Sequence, residues 1–368
     1  MKISIEQMGS KIRADLRDVQ PYVAVEPPER VADRFGIPYD QILKLDANEN
    51  PYGCSPKVTE ALSKYGRYHV YPDTICAESR ELISHYVGVD PERIVLGNGS
   101  DEIIDLVFRL FVHPGDEILI CPPTFGYYAS SVASCAGEVR CVERIGLFEL
   151  DVPGILSQLH ERVKVIVITS PNNPTGNCVS EEDLVSLLDT GVTVLVDEAY
   201  AEFSGKSCIP LTAEYENLIV ARTFSKWAGL AGLRAGYGIF ARDLANIVLK
   251  IKPPYNVSVA AQAAIKASFE DLDYLLEKVK IIVAERDRLL GELRKIAFLE
   301  PYPSEANFVL CKITRGSLAN IRAGLEAQGI FLRYYDDPRL RSNLRISVGT
   351  PDQNDRLLRS LREIEESV

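Results

Sequence analysis

Lys226 lies in the run Arg222-Thr-Phe-Ser-Lys-Trp-Ala-Gly-Leu-Ala-Gly-Leu-Arg234, among small and apolar neighbours. Desolvation lowers a lysine pKa, and a neutral amine condenses with aldehydes. Ser225 directly precedes the lysine, and Arg234 follows eight residues later. Both are donors suited to a phosphate, which arginine can grip with two nitrogens. An aldehyde-reactive lysine beside a phosphate site suggests pyridoxal phosphate. The competing reading is a strand-to-loop junction with a solvated lysine, so partners elsewhere in the chain decide the matter.

Asp197 is the sharpest of those partners. It closes the apolar run Val194-Leu-Val-Asp-Glu-Ala-Tyr200, where a charge needs a partner. A carboxylate there can hold a pyridine nitrogen protonated, by roughly 4 kcal/mol at ~4 Å and an effective dielectric near 20. A metal-binding pair Asp197-Glu198 competes, but neighbouring strand residues point to opposite faces. Tyr200, three residues on, and Asn173 in Ser170-Pro-Asn-Asn-Pro-Thr-Gly176 both offer donors to a phenolic oxygen. Ile94-Val-Leu-Gly-Asn-Gly-Ser-Asp-Glu102 reads as a strand, a glycine turn and a helix start, with Ser100 or Asp101 as cap. Free N–H groups at such a start form a phosphate cradle, and Gly99 permits close approach. Glu102 stands where a dinucleotide fingerprint needs its third glycine. Phe125, in Cys121-Pro-Pro-Thr-Phe-Gly-Tyr127, suits either a flat ring or the core. Leu45-Asp-Ala-Asn-Glu-Asn-Pro-Tyr-Gly53 is a polar turn that could touch a ligand.

These residues need a frame. Runs rich in β-branched residues predict strands at 93–97, 117–121, 138–143, 163–170, 192–197, 218–223 and 235–240, alternating with helices or loops. That alternation means a mostly parallel sheet covered on both faces, with ligands beyond the strands' carboxyl ends. After Lys252-Pro-Pro-Tyr-Asn256 a long helical region reaches about Ile296, followed by strands at 308–313, 329–334 and 344–348. The expected division is an arm over 1–40 with one short helix, a large domain over 41–252 and a smaller α/β domain over 253–368. Two domains suit 368 residues, and 46% hydrophobic with 25% charged residues is a globular composition. A net charge of −11 leaves no surplus for neutralising nucleic acid. No apolar run approaches the ~18 residues of a membrane span. The eight scattered cysteines lack a Cys-x-x-Cys pair, and the four histidines add no ligand spacing. We expect reduced thiols in a cytoplasm, with no metal site.

The ordered set Gly-x-Gly-Ser-Asp-Glu, Pro-Asn-Asn-Pro-Thr-Gly, Asp-Glu-Ala-Tyr, Thr-x-Ser-Lys and Gly-Leu-Arg resembles the fold-type I pyridoxal-phosphate aminotransferases. More narrowly, it is similar to the histidinol-phosphate aminotransferases. The likeness runs from about residue 40 onward. It implies an α/β fold with a seven-stranded, mostly parallel sheet in the large domain. It also implies a homodimer with shared active sites, acting on an amino donor and a 2-oxo acid. Lys226 would carry the cofactor and move a proton between Cα and C4′. Asp197 would hold the pyridine nitrogen, and Asn173 and Tyr200 the ring oxygen. Gly99, Ser100, Asp101, Ser225 and Arg234 would surround the phosphate, with Thr223 in the same cofactor set. Phe125 would stack on the ring, at a position often filled by Tyr. Tyr71, in Arg67-Tyr-His-Val-Tyr-Pro-Asp73, would reach the other subunit's cofactor. Arg345, in Leu344-Arg-Ile-Ser-Val-Gly349, and Arg333, in Gly329-Ile-Phe-Leu-Arg333, would bind the substrate's anion. Asn50 would face the substrate where some members carry Tyr. The implied donor is L-histidinol phosphate. An aromatic amino acid donor, or decarboxylation of threonine phosphate, would use the same motifs.

Overall fold

A computed structural model describes residues 8–9, 11–17, 19 and 22–366. Parts of the expected arm (1–7, 10, 18, 20 and 21) and of the last domain (367–368) therefore lie outside the described residues. The strands, in chain order, are β1 (Leu43–Leu45), β2 (Ile94–Asn98), β3 (Glu117–Ile120), β4 (Glu138–Cys141), β5 (Val163–Thr169) and β6 (Thr193–Asp197). They continue with β7 (Leu218–Thr223), β8 (Ala235–Ile239), β9 (Leu299–Pro301), β10 (Phe308–Ile313), β11 (Ile330–Tyr334) and β12 (Asn343–Ser347). Every expected strand is present, its ends within two residues of expectation.

Among the described residues one sheet has seven strands, ordered β2-β8-β7-β6-β5-β3-β4. Only β8 runs antiparallel to its neighbours. The run Val163–Thr169 shows why this sheet forms. Val165 and Val167 pack in one apolar cluster with Ile118, Leu195 and Ile219. Ile166 and Ile168 pack in the other with Leu119, Val194 and Val196. Both faces are buried, so the strand reads as continuous hydrophobic sequence without alternation.

The second sheet has five strands, β1-β11-β12-β10-β9. Here the structure corrects the reading of the chain. Leu43–Leu45 falls in the span expected for the large domain, yet it pairs in parallel with Ile330–Leu332. The long helical region is also two helices, Val259–Phe269 and Leu272–Leu293. The first of them packs against the helices Pro56–Lys64 and Ala77–Val87. No helix among the described residues is long and apolar enough to cross a membrane.

The topology gathers the chemistry at one edge. The carboxyl ends of β2, β3, β5, β6 and β7 lie there, and the antiparallel β8 begins there, directly after Arg234. In β8, Gly236 sits opposite both Gly97 and Thr223. A Cβ at Gly236 would run into the backbone of Gly99 and Ser100 and lie 3.0 Å from the Arg222 carbonyl oxygen. The glycine thus lets the start of the helix Ser100–Phe111 sit directly on the sheet. Gly236→Ala should lower stability by about 1–3 kcal/mol through overpacking against backbone. A urea-unfolding midpoint equal to that of the parent would show that the helix start yields freely.

Candidate active site

A cleft of about 1000 Å³ opens at this edge. Ser100, Asp101, Phe125, Asn173, Asp197, Tyr200, Thr223, Ser225, Lys226, Arg234, Arg333 and Arg345 all line it. One end of it is built on the start of the helix Ser100–Phe111. Gly99 is the N-cap of Ser100–Phe111, at φ +80°, and no side chain caps the helix. The expected cap by Ser100 or Asp101 is therefore corrected. Glu102 instead reaches back to accept from the Asn98 amide at 2.6 Å. The first N–H groups of the helix keep their donor capacity toward an anion. A Cβ at Gly99 would strike the Arg234 guanidinium, so glycine is what lets that charge lie over the cradle. Arg234 donates to Asp101 Oδ2 at 2.6 Å and to Ser225 Oγ at 3.4 Å, and the Thr223 hydroxyl donates to Ser225 Oγ at 2.9 Å.

Lys226 follows β7 on a loop pinned by its neighbour. Trp227 is buried and stacks on Tyr86 at 5.6 Å. Its carbonyl accepts from Asn50 Nδ2 at 3.0 Å, and the close pass of Gly229 over Gly53 presses the loop onto the polar turn. The lysine amine donates to the Ala47 carbonyl at 2.9 Å. Burial, with Arg345 nearby, pushes its pKa down to about 8. Asp197, at the end of β6, is held by Tyr128 Oη, which donates to Oδ2 at 2.9 Å, and by the Ala199 amide at 3.1 Å. Burial raises the Asp197 carboxyl to about 6, partly offset by the Tyr128 bond. Glu198 turns the other way and accepts from Arg222 Nε at 2.8 Å, as strand alternation requires.

At the other end, Arg333 and Arg345 are cross-strand partners on β11 and β12. Arg345 is buried, donates at 2.5 Å both to Asn173 Oδ1 and to the Asp46 carbonyl, and lies over the Phe308 ring at 5.2 Å. Arg333 donates to the Val23 carbonyl at 2.9 Å. Phe125 lines the wall edge-on to Tyr22, ring centroids 5.4 Å apart.

Three expected residues are not among those lining this cleft: Gly99, which lies beneath the Arg234 guanidinium, Asn50 and Tyr71. Asn50 has both ends of its amide engaged, donating to Trp227 and accepting from the Tyr52 amide at 3.0 Å, so it braces the turn. Tyr71 is 76% exposed and stacks on Tyr255 at 4.3 Å. Sequence reasoning missed Tyr128, one residue past the quoted turn. A fully buried phenol must find a partner, but nothing in the sequence says that the partner is Asp197. It read Asn48 only as one polar group of a turn that could touch a ligand, where Asn48 Nδ2 donates to Tyr200 Oη at 3.0 Å, and it missed Tyr22, which lines the cleft from the arm.

The residues fit a phosphorylated aldehyde on a pyridine ring: a cradle that a Cβ would fill, a buried carboxylate and an amine depressed by burial. In cofactor-free protein the raised pKa of Asp197 has a measurable cost. The fold binds its proton more tightly than the unfolded chain does, so stability falls as pH rises from about 4 through about 6. Asp197→Asn should therefore stabilise that form by up to about 3 kcal/mol near pH 8 and by almost nothing near pH 4. Urea unfolding at both pH values checks this, and an equal gain at both would trace the effect to packing.

A family model described as aminotransferase class I and II matches residues 40–361. The chain is 45% identical to a histidinol-phosphate aminotransferase of Dehalococcoides mccartyi, over 98% of this chain and 99% of that one. It is 43% identical to the chloroplastic histidinol-phosphate aminotransferase of Nicotiana tabacum, over 95% of this chain and 86% of that protein. Among solved structures it superposes on histidinol-phosphate aminotransferase from Sinorhizobium meliloti in complex with pyridoxal-5′-phosphate. That match has a TM-score of 0.87 at 27% identity, covering 97% of this chain and 98% of that one. At this identity and coverage the chain belongs to the class I and II aminotransferases, on the histidinol-phosphate aminotransferase branch.

Proposed function

We propose that this transaminase moves an amino group between L-histidinol phosphate and 2-oxoglutarate, with pyridoxal 5′-phosphate as cofactor, giving imidazole-acetol phosphate and L-glutamate. The arginine pair carries the substrate assignment. Arg333 and Arg345 stand opposite each other, open into the cleft of Lys226, and have no carboxylate partner among the described residues. Like charges directly opposite destabilise a sheet, and an unpaired buried cation is costly. A bound phosphate relieves both, because its three acceptor oxygens can serve two guanidinium groups. The names of the relatives support the same substrate.

When bound, the cofactor supplies an aldehyde that condenses with amines and a protonated ring that draws electrons from the reacting carbon. The chain's own residues do the rest. Gly99, Ser100, Asp101, Thr223, Ser225 and Arg234 would hold the phosphate, and Phe125 would cover the ring. Asp197, kept in place by Tyr128, would hold a proton on the ring nitrogen. Asn173 and Tyr200 would donate to the ring oxygen. Lys226, whose amine burial draws down to about 8, would be the group that moves the proton at the substrate's reacting carbon.

We assign the arm to 1–40, the cofactor domain to 41–252 apart from the strand Leu43–Leu45, which joins the sheet of the smaller domain, and the smaller domain to 253–368, and the protein to a homodimer in the cytoplasm. Tyr71, exposed and outside this cleft, is free to serve the phosphate of a second copy. Eight free cysteines suit a reducing compartment.

Lys226→Ala should abolish turnover and replace the absorption band of the lysine-bound cofactor by that of the free aldehyde. The decisive test mixes loaded enzyme, without keto acid, with histidinol phosphate, phenylalanine or threonine phosphate and follows the cofactor spectrum. Conversion to the amino form with histidinol phosphate alone supports the assignment. Conversion with phenylalanine alone moves the protein to aromatic donors, and release of CO₂ from threonine phosphate moves it to decarboxylation. Arg333→Ala should lower kcat/KM for histidinol phosphate by about 10–100-fold, the loss of one charge-assisted bond. It should change kcat/KM much less for a donor without phosphate.

A further inference from the structure

We infer that Asn48, clamped by Ser347, is a positioning residue that fixes the Tyr200 hydroxyl as a hydrogen-bond donor into the cleft. This rests on the reading of the cleft given above. Asn48 is buried, at φ +55°, a backbone region that asparagine tolerates better than most side chains. Its backbone amide donates to Ser347 Oγ at 2.8 Å, and the Ser347 hydroxyl donates back to Asn48 Oδ1 at 2.8 Å. The carbonyl of Asn48 accepts from Asn307 Nδ2 at 3.0 Å. Its remaining group, Nδ2, donates to Tyr200 Oη at 3.0 Å.

The direction of that last bond is what matters. An amide turned the other way would leave the Ser347 proton without an acceptor and make Tyr200 donate to Asn48. As the network stands, every polar group of the Asn48 side chain is satisfied. The phenol accepts, and its own proton is left for an acceptor in the cleft that it lines. Tyr200 is buried and packs edge-on to Phe308 at 5.1 Å, so its hydroxyl has little freedom to turn elsewhere. The titratable and charged groups that act on it are Arg345, Asp197 and the Tyr22 phenol, and all three stay unchanged in the variants below. A competing account makes Asn48 a residue that merely tolerates a left-handed turn.

The test uses cofactor-loaded enzyme and reads the pH at which its visible absorption band changes. A donor to the ring oxygen stabilises that oxygen's anionic form, so losing it raises the transition pH. Asn48→Asp is nearly isosteric but presents only acceptors, which turns the Tyr200 proton away from the cleft. We expect the transition to rise by about one pH unit, a tenfold change in the protonation equilibrium. In a Tyr200→Phe background the same substitution should move it by less than half as much, leaving only the effect of the added charge. Asn48→Gly, which keeps the left-handed backbone without strain, covers the case in which Asn48→Asp does not fold. It should raise the transition in the parent by a few tenths of a unit and leave the Tyr200→Phe enzyme unmoved. Equal shifts in both backgrounds, or none in either, would overturn the inference. A parent protein that shows no visible band with the cofactor would overturn the functional reading itself.

Discussion

Charge buried at the edge of an apolar sheet is the constraint from which most of this structure follows. Lys226 and Asp197 sit where desolvation works against the charged form of each, drawing one pKa down to about 8 and the other up to about 6. Neither position is stable by virtue of the side chain alone. The sheet must bring five strand ends and the start of an antiparallel strand together before enough donors and acceptors surround these groups. Tyr128 and the Ala199 amide answer Asp197, and the Ala47 carbonyl answers Lys226. A ring with a basic nitrogen and an aldehyde would complete both sets at once. Cofactor and fold are thus complementary in charge before any substrate enters.

The same constraint explains the glycines. Gly99 and Gly236 lie on adjacent layers of one contact, the first under Arg234 and the second under the helix start. Side chains at either place would hold the cradle away from the sheet or the guanidinium away from the cradle. Here close approach of backbone is itself the binding feature. That is why a glycine turn with an early helix can serve a phosphate without a dinucleotide fingerprint.

The chain made some of this plain and hid the rest for physical reasons. The strands of the large sheet were legible because burial on both faces writes itself as continuous runs such as Val165-Ile-Val-Ile168. Lys226, Asp197 and Arg234 were legible because a charge inside or beside an apolar run has few reasons to exist. Strands β1 and β9 were not, since three residues carry no period and their pairing depends on partners far along the chain. Asn48 and Asn50 show the limit most clearly. They are the same residue type in one turn, and sequence offers nothing to choose between them. Only the folded arrangement separates a brace bonded to Trp227 from an amide bonded to Tyr200. Tyr128 was hidden likewise, because a buried phenol announces a hydrogen bond without naming its partner.

That short turn also joins the two sheets. β1 leads directly into it from the small sheet, while the Ala47 carbonyl and the side-chain amides of Asn48 and Asn50 reach Lys226, Tyr200 and Trp227, beyond strands of the large one. Asp46 gives its carbonyl to Arg345, Ala47 to Lys226 and Asn48 to Asn307. Arg345 in turn donates to Asn173, on the loop after β5. Arg345, Lys226, Asn173 and the Tyr200 hydroxyl therefore hang on one strip of backbone. A shift of the small sheet cannot move Arg345 without disturbing the acceptor of Lys226 and the partner of Tyr200. The arginines at one end of the cleft and the hydroxyl of Tyr200 at the other are, in this geometry, two ends of the same mechanical element.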